Sequence, residues 1–272
     1  MHFVSFMFFV FLLLLLPAFY LLPAKFRLPL LLVASYAFYA TWSIPFIGVI
    51  LVSTTVDYWM AKIIERHPEQ GIKKLAMTSG IILNLLILGF YKYYHFASEN
   101  ILTLSKLLHF PMPALPILNV ILPLGISFYT FEAIGYLVDV YRGKPTAKNW
   151  LDYNFYIMYF PHLISGPIVR FMELAPQYAK PLQLPSMERL AKAFELIILG
   201  YGFKILIADQ AALIANPIFE HYQTAHVFDV WSAVLAFTVQ IYFDFTGIPM
   251  ALMMTNFFVG TIAYFYARKV IS

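Results

Sequence analysis

The chemistry that this sequence can support is concentrated in ionisable residues that stand inside long apolar runs. Such a group costs a few kcal/mol or more near the centre of a bilayer, so it seldom occurs there without a role. In segment 118–140, a rotation of about 100° per residue predicts one polar stripe, made of Gly125, Tyr129, Glu132, Tyr136 and Asp139. The side chains predicted to point elsewhere are Leu124, Ile126, Phe128, Phe131 and Leu137. The stripe must face protein or a water-filled cavity.

Two interpretations of this stripe stay open. In the structural one, Glu132 and Asp139 pair with donors on neighbouring helices, because buried charges are usually paired. The candidate donors are Arg142, Arg170 and backbone N–H groups. In the functional interpretation, the same stripe lines the path of a substrate.

Two further residues lie at membrane depth. Asp244 stands in the run QIYFDFTG, residues 240–247, where it forms a structural ion pair or organises a site. His162 stands in the run YFPHLISGP, residues 159–167, which proline and glycine interrupt. Broken backbone is tolerated at this depth only where it is buried in protein or lines a cavity. His162 therefore either packs inside the protein or lines the same path.

Several other chemistries find no support. The chain contains no cysteine, which excludes disulfides, thiolate catalysis and cysteine-ligated metals. His221 and His226 are five residues apart and do not share a helical face, and no HExxH motif occurs, so a metal site is not expected. No bound cofactor is expected either. The sequence around Ser127 lacks the second glycine of a nucleophile elbow. No basic stripe with interleaved aromatic residues favours nucleic acid.

Apolar segments must position these residues. The 272-residue chain is 61% hydrophobic and 12% charged, about half the charge of an ordinary soluble domain. Its apolar runs recur near the ~20 residues that span a bilayer, without the alternation of a β-barrel. We therefore predict an all-α, polytopic transmembrane helical bundle of about seven to nine spans, some short or broken. The predicted spans are 3–22, 28–42, 44–61, 75–91, 118–140, 151–168, 190–214, 228–247 and 250–267.

The distribution of basic residues predicts an orientation. The net charge is +4, and three basic loops are expected to stay cytoplasmic beside anionic lipid: Lys25–Arg27, Lys62–Lys74 and Arg142–Lys148. All three agree with an amino terminus outside. Segment 92–117, with Pro111, Pro113 and Pro116, then lies on the outer side, where Ile101–Leu108 is expected to form an interfacial helix.

Five blocks of sequence occur in a fixed order across Met1 to Gly247. They are LPLGISFYTF at 122–131, DVYRG at 139–143, FPHLISGPIVR at 160–170, GYGFK at 200–204 with Ala208 and Asp209, and YFDFTG at 242–247. As a set they closely resemble the membrane-bound O-acyltransferase family, and most closely its bacterial alginate O-acetyltransferase branch. Any one block alone would be a weak apolar pattern.

This resemblance implies an enzyme that moves an acyl group, here acetyl, to hydroxyls of an exported polysaccharide such as alginate. The reaction needs a general base, and histidine suits it because its pKa lies near operating pH. Tyr129, Glu132, Tyr136, Asp139, His162 and Asp244 would line the passage where donor and acceptor meet. The resemblance also implies the bacterial cytoplasmic membrane and other polysaccharide O-acetylation proteins as partners. It leaves the acyl donor open.

One part of the family pattern is missing. The essential histidine of the family lies beyond the block at 242–247, and no residue up to Ser272 matches it. We therefore expect residues 1–247 to be the amino-terminal part of the acyltransferase domain and 248–272 a divergent hydrophobic tail. A truncated or frame-shifted gene product and one half of a split enzyme both fit. The chain alone is expected to be inactive, and His162 does not replace the missing base.

Two other functions stay open. One is a catalytically dead membrane scaffold that holds polysaccharide-modifying partners. The other is a transporter that binds an ion or solute at the stripe of Glu132 and Asp139.

Overall fold

The computed structural model describes residues 5–107, 121–163, 169–178 and 186–256, which contain helices and no β-strand. The helices are α1 (Phe6–Leu21), α2 (Ala24–Ala40), α3 (Ile44–Arg66), α4 (Gln70–Leu107), α5 (Ile126–Tyr141), α6 (Trp150–Met158), α7 (Phe160–Leu163), α8 (Phe171–Tyr178), α9 (Met187–Gly202), a π-helix (Phe203–Ala208), α10 (Asp209–Glu220) and α11 (Val227–Asn256).

Four helical runs in the described part of the chain are long and apolar enough to cross a bilayer. They are Ile44–Arg66, Gln70–Leu107, Ala191–Glu220 and Val227–Asp244. Large apolar side chains are exposed along them, among them Leu86, Leu206 and Leu235. Lipid is the environment in which such surfaces are stable. The predicted all-α membrane fold is thus confirmed, whereas the number of crossings stays a prediction.

The described residues within 32–164 form one compact unit. In it, α3 packs against α4, α5 and α6, and α4 also packs against α5. Gly80 of α4 lies against α5, since a β-carbon there would stand 2.6 Å from Cδ1 of Leu137. A small residue at this point allows two membrane helices to approach closely.

The predicted broken span 151–168 forms two short helices. Asn149 caps α6, because its side chain accepts a hydrogen bond from the N–H of Asp152 at 2.8 Å. The chain bends at Tyr159, and α7 begins with Pro161 in its first turn, where a missing N–H does no harm. The N–H of Phe160 donates to the Ser35 hydroxyl at 3.2 Å. Residues 164–168, including Pro167, lie outside the described part.

The described residues within 1–31 and 165–272 form the other compact unit. Its main element is a continuous helical run of α9, the π-helix and α10, which packs along α11. Two pairs of rings contribute to this contact, Phe203 with Phe243 and Phe219 with Phe237, at centroid distances of 5.3 and 5.5 Å.

Two predicted boundaries are wrong. Helix α4 continues to Leu107, so residues 101–107 do not form a separate interfacial helix. No proline or glycine occurs between 92 and 107, and polar residues alone do not end a helix. Helix α11 likewise continues through 247–250 to Asn256, which joins two predicted spans. Proline is tolerated within membrane helices where neighbouring groups satisfy the freed backbone. Residues 108–120, with their three prolines, and 257–267 lie outside the described part.

Candidate functional site

Helix α5 carries the predicted polar stripe. It begins at Ile126, one residue after Gly125, whose φ of 74° is left-handed. Tyr129, Glu132 and Tyr136 are buried, and Asp139 is half-buried near the end of the helix. Phe131 points outward and is exposed, as expected. Ile126 and Leu137 are also buried, because α5 packs against several helices at once.

The structure brings Glu132 and His162 together. Oε2 of Glu132 lies 3.4 Å from Nε2 of His162, and their side chains are 2% and 6% exposed. The rings of Tyr156 and Tyr159 flank the imidazole at centroid distances of 6.3 and 5.6 Å. Two members of the predicted passage, 30 positions apart in the sequence, therefore form one buried pair.

The hydroxyl of Tyr129 is also buried, and no described residue hydrogen-bonds to it. Tyr129 precedes Glu132 by three residues, so the two side chains share one face of α5. A buried hydroxyl without a partner in the protein normally meets water or a ligand. This face of α5 can therefore accept a polar molecule beside the Glu132 and His162 pair.

Tyr136 connects the stripe to the loop after α5. Its hydroxyl accepts a hydrogen bond from the N–H of Ala147 at 2.9 Å, and its ring lies 4.5 Å from that of Tyr153. The backbone carbonyl of Asp139 accepts from the N–H of Lys144 at 3.0 Å. Arg142, a predicted ion-pair donor, is exposed at the end of α5. Tyr136 and Asp139 therefore hold the loop after α5 through these two hydrogen bonds.

A second buried polar cluster was missed at the level of sequence. Asp57 of α3 is fully buried, and its Oδ1 accepts a hydrogen bond from Nδ2 of Asn84 at 2.7 Å. Ser53 donates to Oδ1 of the same asparagine at 3.2 Å. The signal was present, because Asp57 is an acidic residue within the predicted span 44–61. Like Asp244, it is an ionisable group in an apolar run, where such a group is costly without a role.

In the other unit, Asp244 has a specific partner. Its Oδ1 lies 2.7 Å from Nζ of Lys204, which also lies 2.8 Å from Oδ1 of Asp209. Sequence reasoning selected Asp244 but not this lysine. Arg170, the other predicted ion-pair donor, is exposed just before α8. Among the described residues, no three histidine, aspartate or glutamate side chains come together in a way that could hold a metal ion.

The comparisons with known proteins give the following matches. No family model matches the chain. It is 36% identical over 244 residues, 88% of its length, to the "Probable alginate O-acetylase" of Azotobacter vinelandii, of which this covers 47%. It is 36% identical over 259 residues, 90% of its length, to the protein of the same name in Pseudomonas aeruginosa, of which this covers 48%.

A third relative carries another name. The chain is 31% identical over 243 residues to the "Peptidoglycan O-acetyltransferase" of Helicobacter pylori, which covers 80% of this chain and 45% of that protein. The chain spans about half the length of the curated relatives it matches.

Proposed function

Because the chain belongs to the membrane-bound O-acyltransferase family, we propose that it acts in the transfer of acetyl groups to hydroxyls of an exported polysaccharide. The observation that carries this proposal is 36% identity to alginate O-acetylases along about nine-tenths of the chain. The relative named peptidoglycan O-acetyltransferase supports the coarser reaction, since both names describe O-acetylation.

The geometry of α5 and α7 fits a role in this reaction. Acetyl transfer forms a bond between the acceptor oxygen and the acyl carbon, breaks the bond to the donor and releases the hydroxyl proton to a base. A buried glutamate and histidine 3.4 Å apart can orient a hydroxyl by hydrogen bonding and exclude bulk water. We assign Glu132, His162 and Tyr129 to the wall of the passage, and none of them to the general base.

The proposal includes a setting. The chain is an integral membrane protein, and we place it in the bacterial cytoplasmic membrane with its amino terminus outside. Its partners are then the bilayer and other proteins of polysaccharide O-acetylation. The chain has no cysteine, so single cysteines at exposed Lys74 and Arg142 report orientation without background. A membrane-impermeant thiol reagent is expected to label both only after the membrane is opened. Labelling of both positions in intact cells would indicate the opposite orientation, with the amino terminus inside.

The activity is tested with the whole natural gene product. We expect its expression, in a bacterium that lacks its own alginate O-acetylase, to restore acetyl esters on exported alginate, measured by NMR of the polymer. Glu132→Gln is expected to lower ester content, whereas Phe131→Leu, on the exposed side of the same helix, is not. Immunoblots of membranes correct for protein amount. The expectation that residues 1–272 alone are inactive stays a prediction.

The same strains distinguish the alternatives. The proposal is overturned in favour of a transporter if two results are found together. The gene product restores no esters, and vesicles that contain it take up a solute, whereas vesicles with Glu132→Gln do not. Esters that appear only when an active resident enzyme is also present would favour a scaffold.

A further inference from the structure

Lys204 stands between two carboxylates in the unit of residues 1–31 and 165–272. Its Nζ lies 2.8 Å from Asp209 and 2.7 Å from Asp244. The Lys204 and Asp244 side chains are 21% and 26% exposed, so both are largely withdrawn from the surface. One lysine thus bridges the run of α9, the π-helix and α10 to α11.

The π-helix is what places Lys204 and Asp209 on one side of their run. In an α-helix, residues five apart are about 140° apart around the axis, and their side chains diverge. Here the N–H of Asp209 donates to the carbonyl of Lys204, the i to i+5 hydrogen bond of a π turn. This wider turn stacks the two residues, so that the ammonium reaches Asp209 and Asp244 together.

The position of the cluster makes the loss of its charge balance costly. Lys204 lies near the middle of the run Ala191–Glu220, and Asp244 lies within α11, the helix that packs along this run. The next residues, Ile205 and Leu206, are exposed and apolar, whereas Lys204 turns toward α11. Two carboxylates share one ammonium here, so loss of the lysine would leave two charges uncompensated, with Asp244 the more withdrawn and Asp209 47% exposed.

We propose that Lys204 is a positioning residue. It holds Asp244, and with it the block at 242–247 of α11, in one position along the π-helix. Nothing in the composition of GYGFKILIAD indicates a π turn. The distances, the i to i+5 hydrogen bond and the inward direction of Lys204 support the assignment together. The effect on acetyl transfer rests on the proposed function, but the effect on folding does not.

The first experiment measures folded protein with no assay of activity. We expect Lys204→Met to lower the yield of monodisperse whole protein in detergent by about tenfold, because both carboxylates lose their partner. Lys204→Arg is expected to stay within about twofold of the wild type, since the charge remains. The triple variant Lys204→Met, Asp209→Asn and Asp244→Asn is expected to recover to within about twofold, because neutral groups need no counter-charge.

The second experiment separates positioning from charge balance alone. In the whole natural gene product, the triple variant is expected to fold and yet to transfer acetyl with a kcat at least about tenfold below that of the wild type, because no ammonium at 204 holds the side chain at 244 in place. The single variant Lys204→Arg is expected to keep the kcat of the wild type. Lys192→Met is the matched control, since it breaks an exposed lysine and glutamate pair on α9.

Each outcome decides one part of the inference. A Lys204→Met protein that folds as well as the wild type would overturn the ionic bridge. A triple variant with wild-type kcat would overturn the positioning role and leave only charge balance. If the wild-type gene product transfers no acetyl, the proposed function fails, and recovery of folding in the triple variant still tests the bridge.

Discussion

The carbonyl oxygen of Leu163 lies so close to Gly125 that a β-carbon on this glycine would overlap it. Gly125 also has a left-handed φ of 74°, which residues with a side chain rarely adopt. Two independent conditions therefore require glycine immediately before α5. Because Leu163 follows His162, this contact ties the start of α5 to α7 in the same unit that holds the Glu132 and His162 pair.

Gly125→Ala is expected to destabilise the protein. The left-handed conformation costs about 1–3 kcal/mol for a residue with a side chain, and relief of the clash with Leu163 adds to this cost. Thermal unfolding of the purified protein in detergent measures the loss. Gly135→Ala, in the same helix, is the control, since its β-carbon meets no described atom within 4 Å. Equal unfolding temperatures for the two variants would contradict the close approach.

Truncation of Glu132 to alanine is expected to lower the free energy of unfolding more than its replacement by the isosteric glutamine. Glu132→Ala removes the partner of His162 and is expected to cost about 3–5 kcal/mol. Glu132→Gln keeps a hydrogen-bonding group and is expected to cost about 1–3 kcal/mol. Chemical unfolding in detergent compares them with Phe131→Ala, which truncates an exposed side chain next along α5. A smaller loss in Glu132→Ala than in Phe131→Ala would show that the pair contributes nothing.

Asn84→Ala is expected to destabilise the contact between α3 and α4. It leaves the buried carboxyl of Asp57 without the Asn84 donor, at a cost of about 1–3 kcal/mol, or more if the carboxyl is charged. Asn100→Ala on the same helix removes an exposed hydrogen bond to the carbonyl of Phe96 and is expected to change stability by less than about 0.5 kcal/mol. Thermal unfolding of both variants decides, and equal losses would count against the buried cluster.

Gly80→Ala is expected to force α4 and α5 apart. Its β-carbon would overlap Cδ1 of Leu137, and such overpacking costs about 1–3 kcal/mol. The loss should shrink when Leu137→Ala supplies space, which a double-mutant cycle measures as a coupling energy. Gly89→Ala, whose β-carbon meets no described atom within 4 Å, is expected to be neutral or stabilising. Additive effects of the two changes at 80 and 137 would refute the contact.

Sequence periodicity predicted the elements whose two sides differ in chemistry. The stripe of α5 is an example, because charges at membrane depth must turn away from lipid and so reveal the buried side. Tyr129, Glu132 and Tyr136 are accordingly buried, while Phe131 is exposed. The interruption of the predicted span 151–168 was readable from its prolines. It appears as the bend at Tyr159 before Pro161.

Other features could not be read from one sequence. Which donors meet Glu132 depends on contacts between distant segments, and the structure pairs it with His162, 30 positions along the chain. The π turn at Lys204 has no compositional signal, since the same residues propagate an α-helix. The end of α4 was misplaced because hydropathy reports where a segment leaves lipid, whereas a helix ends only where its backbone hydrogen bonds do.

Helix α4 is longer than the hydrocarbon layer of a bilayer is thick. At about 1.5 Å per residue, its 38 residues extend about 57 Å, nearly twice the ~30 Å of bilayer hydrocarbon. A tilt of 40°, the upper end for membrane helices, still separates its ends by about 44 Å along the bilayer normal. At least one end must therefore stand beyond the hydrocarbon, among the headgroups or in water.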